Sequence, residues 1–280
     1  MKTLKILIPT DFSVQAEYAF VLAKRIEEKI PLEIHFLHIL SVPDTVTMDS
    51  VGNIQTCGDI DAGFVEGQKE IALRKLQELR TQYGNGIQTH LRLGKLTDEI
   101  IGFANSETFD LIVMGTKGSW GLQEKLSGSE TQLVTRLSEV PVLSMMCDRS
   151  DLEIKNVVLV HDFTLSGNEN ISVLQLLVKA FDAKVHLLQI TDASSDENAI
   201  KAGMDRYAQS NGFNQFEKHT IRDLNIEQGV THFNQMHQID LVCIGTHGLT
   251  GINRLLHPSA TEKMVNHLFK PILTFQLQKA

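Results

Sequence analysis

The apolar and polar positions along the chain alternate between two periods, which predict strands and helices in turn. The first apolar run predicts a strand at residues 4–9, and residues 14–29 then carry Ala16, Ala19, Phe20, Ala23 and Ile26 at helical spacing. The same reasoning predicts further strands at 33–39, 87–92, 110–114 and 141–146, and further helices at 68–82, 96–107 and 129–138. Strands that alternate with helices predict a parallel sheet covered on both faces, a doubly wound α/β domain.

This order of elements occurs twice in the chain. Residues 6–13 read ILIPTDFS and residues 157–164 read VVLVHDFT, while 111–118 read LIVMGTKG and 241–248 read LVCIGTHG. We therefore predict two tandem domains, at residues 1–148 and 149–280. Each predicted domain has a size that suits one hydrophobic core.

The segment 41–67 interrupts the alternation. It carries five acidic residues, no lysine or arginine, and no apolar period. We interpret it either as a mobile acidic loop or, because it follows the second strand, as a lid or docking segment for a partner.

Composition and charge exclude several classes of protein. The 280 residues carry a net charge of −8, which does not favour binding to nucleic acid or to an anionic membrane. No apolar run is long enough to span a bilayer and no signal peptide is evident, so we expect a cytoplasmic protein. The three cysteines form no CxxC pair, and His161, His247 and His257 have no recognised ligand spacing, so no metal site is predicted.

Candidate chemistry lies where strands one and four are expected to end. Ligands of open parallel sheets bind beyond the carboxyl ends of strands, at the point where the strand order reverses. The first strand ends in the turn Pro9–Ser13, and the fourth runs into the loop GTKGSWGLQEKLSGSET at 115–131. Glycines 115 and 118 would allow positive φ and close approach to a ligand, and the helix that begins near Gly128 and Ser129 would favour a phosphate. Alternatively, Asp11, Ser13 and Ser129 simply cap helices.

The combined pattern resembles the universal stress protein family over nearly the whole chain, as two tandem copies. The spacing Gly115-x2-Gly118-x9-Gly128-Ser129 matches the signature of the ATP-binding branch of that family. The resemblance implies five parallel strands per domain in the order 3-2-1-4-5, and an intramolecular pseudo-dimer of domains packed through their last strands. It also implies a site for ATP or another adenine nucleotide, with or without Mg²⁺, formed by Pro9, Thr10, Asp11, Ile39, Gly115, Lys117, Gly118, Gly128, Ser129 and Thr131.

Two features depart from the family pattern. Glu130 follows Ser129 where a small or apolar residue is usual; a carboxylate there suits a helix N-terminus, but it could also repel phosphate or hold a metal. In the second half Pro258 replaces the third glycine and removes a backbone donor, so that pocket is predicted to be either weaker or repurposed. The corresponding positions there are Asp162, Gly245, Gly248, Ser259 and Thr261.

The function expected from these features is that of an adenine-nucleotide-binding sensor or adaptor in stress responses. It would work with a protein partner that the sequence does not identify, and further homo-oligomers remain open. The alternatives are an interaction module that needs no nucleotide, or a slow metal-dependent ATPase. No Walker loop, HExxH motif or nucleophile elbow is present, so we assign no catalytic residues and expect at most slow ATP hydrolysis.

Overall fold

The computed structural model describes residues 2–49, 51–57, 60–84, 86–116, 130–148, 150–163, 169–191, 196–246 and 270–276. The elements of the N-terminal domain are β1 (Leu4–Pro9), α1 (Val14–Glu27), β2 (Leu32–Ser41), β3 (Val46–Met48), β4 (Ile54–Thr56), α2 (Ala62–Tyr83), β5 (Gln88–Gly94), α3 (Leu96–Ser106), β6 (Leu111–Gly115), α4 (Glu130–Leu137) and β7 (Val142–Met145). Those of the C-terminal domain are β8 (Asn156–Val160), α5 (Ser172–Phe181), β9 (Lys184–Thr191), α6 (Glu197–Ser210), β10 (Phe216–Arg222), α7 (Ile226–Met236), β11 (Leu241–Thr246) and β12 (Ile272–Gln276).

Ten of the strands form one continuous sheet. Its order is β10-β9-β8-β11-β12-β7-β6-β1-β2-β5, and every neighbouring pair is parallel except β7 with β12. Within each domain the described strands of this sheet lie, by position in the chain, in the order third, second, first, fourth, fifth. The α/β class with a parallel-dominated sheet is confirmed.

Alternating residues of the central strands face two different layers of helices. In β1, Ile6 and Ile8 pack in one core with the apolar face of α1, whereas Leu7 packs in a second core with α3 and α4. The C-terminal domain repeats this division, since Val157 of β8 packs with α5 and α6 while Val158 packs with α7. The five apolar residues predicted to form the inner face of α1 are all buried. Both faces of the sheet are therefore covered, as doubly wound domains require.

The acidic segment is more regular than the sequence suggested. The interpretation of 41–67 as a loop is wrong where β3 and β4 form an antiparallel hairpin, and α2 begins at Ala62 rather than at residue 68. Two carboxylates cause this local order. Asp49 accepts hydrogen bonds from the backbone N–H groups of Val51 and Asn53 (2.9 Å each), and Asp61 caps α2 by accepting from Gly63 N–H.

The last strands of the two domains join them. β7 and β12 pair antiparallel, with Leu143 opposite Leu273 and Val142 opposite Thr274. The Leu143–Leu273 pair is separated by the 130-residue spacing of the sequence repeat, so Leu143 meets its own counterpart, as an isologous contact requires. The hydroxyl bonds are reciprocal: Ser144 Oγ donates to the Ile272 carbonyl (3.4 Å) and Thr274 Oγ1 to the Val142 carbonyl (3.2 Å). The predicted joining of the domains through their last strands is confirmed.

No helix among the described residues combines the length and apolar character that a membrane span needs.

Candidate nucleotide site

The candidate site of the N-terminal domain lies at the carboxyl ends of β1, β2 and β6. β1 lies between β2 and β6, and the strand order reverses between β1 and β6. Pro9 is the last residue of β1 and is buried, and the N–H of Thr10 continues the ladder by donating to the Leu37 carbonyl at 2.8 Å. The structure therefore places the Pro9–Ser13 turn where open α/β sheets bind ligands.

The turn after β1 is held by its own side chains. Thr10 Oγ1 accepts from Phe12 N–H and Asp11 Oδ1 accepts from Ser13 N–H, both at 3.0 Å. Ser13 is the N-cap of α1, so the capping alternative holds for Ser13 and not for Asp11. Asp11 is exposed, and its Oδ2 has no hydrogen-bond partner among the described residues. This oxygen can accept a bond from a ligand.

Phe12 carries backbone strain at this turn. Its φ of 63° lies in the left-handed region, which is unusual for a bulky residue. Such outliers persist only where the surroundings fix them, and they concentrate at binding sites. Here the Phe12 ring lies 4.5 Å from the ring of His38, and the Lys75 ammonium lies 5.0 Å from the Phe12 ring centre.

His38 and Lys75 belong to the site, although sequence reasoning did not select them. His38 Nδ1 donates to the Thr10 carbonyl at 2.7 Å, which ties β2 to the turn. Burial lowers the pKa of His38, and its bond to Thr10 only partly opposes that shift. His38 is thus a neutral donor at pH 7, and Lys75 supplies the positive charge near Phe12. The signal that could have found His38 is its place near the carboxyl end of β2.

Ile39 presents its peptide groups to the space beyond the end of β1. The Leu37 carbonyl faces β1, and backbone groups two residues apart on a strand point to the same side. Because β1 ends at Pro9, it has no residue opposite Ile39. Its side chain is buried in the core with α3 and α4, so any contact to a base would be made by the backbone.

Gly115 has a packing role that the sequence did not predict. Its φ lies outside the positive range, so it needs no left-handed backbone. A Cβ at this position would lie 1.9 Å from the backbone carbonyl oxygen of Gln15, in the first turn of α1. The expectation of positive φ at Gly115 is therefore wrong. The glycine is required because the start of α1 packs directly against the end of β6.

The start of α4 is anchored by hydroxyl bonds. Thr131 is buried, and its Oγ1 donates to the Gly115 carbonyl at 3.2 Å, so this hydroxyl proton is used inside the protein. Glu130 Oε2 accepts from Thr97 Oγ1 of α3 at 2.6 Å. The Glu130 carboxylate thus has a hydrogen-bond partner on α3 and lies in the first turn of α4, where negative charge is favourable.

Several predicted site residues lie outside the described part of the chain. These are Lys117, Gly118, Gly128 and Ser129 in the N-terminal domain, and Gly248, Ser259 and Thr261 in the C-terminal domain. Among the remaining ones, the structure brings Pro9, Thr10, Asp11, Ile39, Gly115 and Thr131 to one end of the sheet.

The matching end of the C-terminal domain holds a buried polar network. His161, which stands where the first half has Thr10, lies 2.6 Å from Glu169 Oε1 through Nε2, and Tyr207 OH donates to Glu169 Oε2 at 2.7 Å. The side chains of His161 and Glu169 are only 3% and 5% exposed. Burial, followed by the Glu169 charge, raises the pKa of Tyr207. Asp162 accepts from Gln189 Nε2 (3.3 Å), and Gly245 lies in β11.

The comparisons with known proteins identify the family. A model of the Universal stress protein family matches residues 2–144 and again residues 153–276. The chain belongs to the universal stress protein family. Two universal stress proteins of Methanocaldococcus jannaschii are similar to one half of it: MJ0531, at 32% identity over 50% of this chain and 79% of the relative, and MJ0577, at 28% identity over 50% and 92%.

A solved universal stress protein from Archaeoglobus fulgidus has the same fold over the full length. It superposes with a TM-score of 0.73 at 17% identity, covering 99% of this chain and 97% of the other. Together with the two family matches, this likeness confirms the tandem arrangement of two universal stress protein domains.

Proposed function

We propose that the N-terminal domain binds an adenine nucleotide and that the protein acts as a nucleotide-responsive sensor or adaptor in stress responses. The observation that carries this proposal is the meeting of the Asp11 turn, the Ile39 peptide and the Gly115 end of β6 at the reversal of strand order. Asp11 Oδ2 would accept from the nucleoside, and the Ile39 backbone would contact the base. The fit is chemically consistent because these groups supply both an acceptor and peptide donors.

The phosphates would lie toward the start of α4. First-turn N–H groups of a helix have no partner inside the helix and favour negative charge. The predicted loop residues Lys117, Gly118, Gly128 and Ser129 come just before this helix in the sequence. Lys75 adds a positive charge beside Phe12 on the other side of the turn.

The C-terminal domain would bind nucleotide less tightly. His161, Glu169 and Tyr207 already form a buried hydrogen-bonded group at the equivalent end of its sheet. A ligand there would have to break buried polar contacts, and each unmade bond costs about 1–3 kcal/mol.

Replacing Asp11 with alanine should lower adenine-nucleotide affinity about 10- to 100-fold, because a hydrogen bond to a charged group contributes roughly 1.5–3 kcal/mol. Asp162→Ala is the matched control at the equivalent position and should leave the affinity unchanged. Calorimetric titration of the full chain with ATP, AMP and cyclic AMP measures both. Equal losses in the two variants, or no binding by the unsubstituted protein, would contradict the proposal.

Gly128→Pro should reduce nucleotide affinity by about 10- to 100-fold without unfolding the protein. The chain carries Pro258 at the matching place in its second half, so the fold accepts proline there. Proline removes one backbone donor that the predicted motif directs at phosphate. The test is a nucleotide titration paired with a ligand-free thermal melt. Unchanged affinity with an unchanged melt would remove Gly128 from the site.

The exposed apolar residues near the hairpin favour one alternative, a protein-interaction role that needs no nucleotide. Val51 in the β3–β4 connection is 83% exposed, and Phe64 at the start of α2 is 66% exposed. Mass spectrometry of nucleotide released from freshly purified, denatured protein separates the two functions. Stoichiometric adenine nucleotide supports the sensor proposal, and its absence together with a null titration supports the interaction module.

A further inference from the structure

Both domains contain a pair of histidines that face each other across two neighbouring strands. In the N-terminal domain His35 Nδ1 lies 2.9 Å from His90 Nε2, and in the C-terminal domain His186 Nδ1 lies 3.1 Å from His219 Nε2. The strand registers are equivalent, because His90 is opposite Leu37 and His219 is opposite Leu188, which differ by the 151-residue repeat spacing. The pair therefore occurs twice at one position of the fold.

Among the residues that the structure describes, only the C-terminal pair has a carboxylate beside the facing nitrogens. Glu217 is opposite His186 in the strand register, and the same register position in the N-terminal domain is Gln88. Glu217 Oε2 lies 3.5 Å from His186 Nδ1 and 3.5 Å from His219 Nε2. In the N-terminal domain the carboxylate of Glu33 instead contacts Nε2 of His35, on the side of the ring away from His90.

These three atoms form a triangle with the dimensions of a metal site. Its edges are 3.1, 3.5 and 3.5 Å. Ligands at about 2.0–2.1 Å from a tetrahedral zinc ion are separated from each other by about 3.3 Å. An ion placed over this triangle would thus reach all three atoms with little movement. Two imidazoles and one carboxylate are also a ligand set that zinc accepts.

We propose that His186 Nδ1, His219 Nε2 and Glu217 Oε2 bind one zinc ion, with water in the fourth position. The site would connect β9 to the edge strand β10 near their amino ends, whereas the nucleotide site lies at the carboxyl ends of the strands. The metal site is therefore separate from the proposed nucleotide function and does not depend on it.

The surrounding side chains orient the ligands. His186 Nε2 lies 3.3 Å from Asn156 Oδ1, and a donor hydrogen bond there leaves the Nδ1 lone pair directed at the site. Lys184 bonds to Glu217 Oε1, which leaves Oε2 for the metal. Phe233 and His237 of the α7 end pack against the His219 ring, with ring centres at 4.8 and 5.0 Å.

The exposure of the three side chains is compatible with this site. The side chain of His186 is 5% exposed, that of His219 is 20% exposed and that of Glu217 is 45% exposed, so an ion can enter from solvent on the Glu217 side.

The sequence carries a signal for part of this cluster. Glu217 and His219 are two residues apart on a strand, so both side chains lie on one face of the sheet. The third residue, His186, comes 31 residues before Glu217 in the sequence. Only the strand register shows that it is a neighbour of Glu217 and His219.

The test is zinc binding by the full-length protein, stripped with chelator and dialysed against buffered Zn²⁺, with metal content measured by elemental mass spectrometry. We expect one zinc ion that is lost in His219→Ala and bound at least 10-fold more weakly in Glu217→Gln, which copies Gln88. Removing a residue that only hydrogen-bonds to a metal ligand reduces metal affinity by about 10- to 100-fold, so the loss in His219→Ala, which removes a ligand, should exceed 100-fold. His90→Ala, at the equivalent position of the other domain, should keep the ion.

Two further readouts keep the test independent of folding defects. Zinc should raise the Tm of the unsubstituted protein more than that of Glu217→Gln at the same Zn²⁺ concentration, because the exposed substitution weakens binding and leaves the fold unchanged. Co²⁺ in place of Zn²⁺ should give the intense visible absorption of a tetrahedral site. The proposal is overturned if the unsubstituted protein binds no stoichiometric zinc, if both C-terminal variants retain it, or if His90→Ala loses it equally.

Discussion

Replacing Gly115 with alanine is expected to destabilise the protein by about 3 kcal/mol or more. The added methyl group would lie 1.9 Å from the Gln15 carbonyl oxygen, which is backbone and cannot rotate away. Relief requires α1 to move from the end of β6, and overpacking of this kind costs about 1–3 kcal/mol even where side chains can adjust. Urea unfolding followed by circular dichroism measures the change as a lower midpoint concentration.

Gly102→Ala is the matched control for this substitution. Gly102 lies inside α3 and is exposed, and an added methyl group there would have no atom within 4 Å. Alanine there should raise stability by about 0.5–1 kcal/mol, because glycine loses more backbone entropy on folding. If Gly115→Ala kept its stability and lost only nucleotide binding, the glycine would serve the ligand rather than the α1–β6 contact.

Long elements with a strong apolar period could be predicted from the sequence. The strand predicted at 4–9 and the α1 face of Ala16, Ala19 and Phe20 were both confirmed, because burial on a regular element repeats at a fixed spacing. The β3–β4 hairpin was missed because three-residue strands are too short to show a period. Its order depends on Asp49, whose carboxylate was counted as charge and not as a turn former.

Features that depend on distant parts of the chain could not be predicted. Gly115 cannot carry a side chain because the backbone of Gln15, one hundred residues earlier, lies against it. The sequence motif alone indicated a ligand as the reason for this glycine. Glu169 and Tyr207 are 38 residues apart and meet His161 only when β8 and α6 are packed. In both cases the deciding contact is tertiary, whereas a motif records only local spacing.

The repeat gives each domain a different chemical specialisation on one scaffold. At the carboxyl end of the first strand, Thr10 is replaced by His161, which recruits Glu169 into a buried contact. At the amino end of the third strand, Gln88 is replaced by Glu217, which completes the proposed zinc ligands. The two substitutions lie at opposite ends of the strands, so the C-terminal domain differs from the N-terminal domain at two separate sites.

Leu143→Ala should destabilise both domains together, by about 2–5 kcal/mol. Leu143 and Leu273 are each 1% exposed and face each other across the β7–β12 pair, in one core that contains residues of both domains. A cavity at the β7–β12 pair removes contacts from the only strand pair that joins the two halves of the described sheet. We therefore expect faster hydrogen exchange in peptides covering β6 and also in peptides covering β8 and β11.

Leu37→Ala is the matched control, because it makes the same leucine-to-alanine cavity away from the β7–β12 pair. Leu37 is fully buried in β2, in a core formed by N-terminal residues alone, so its exchange effect should stay within the N-terminal domain. The double variant Leu143→Ala/Leu273→Ala should cost less than the sum of the single changes, because contacting residues are coupled. If Leu143→Ala accelerated hydrogen exchange only within residues 2–148, the two domains would share one sheet but would unfold independently, which contradicts the prediction.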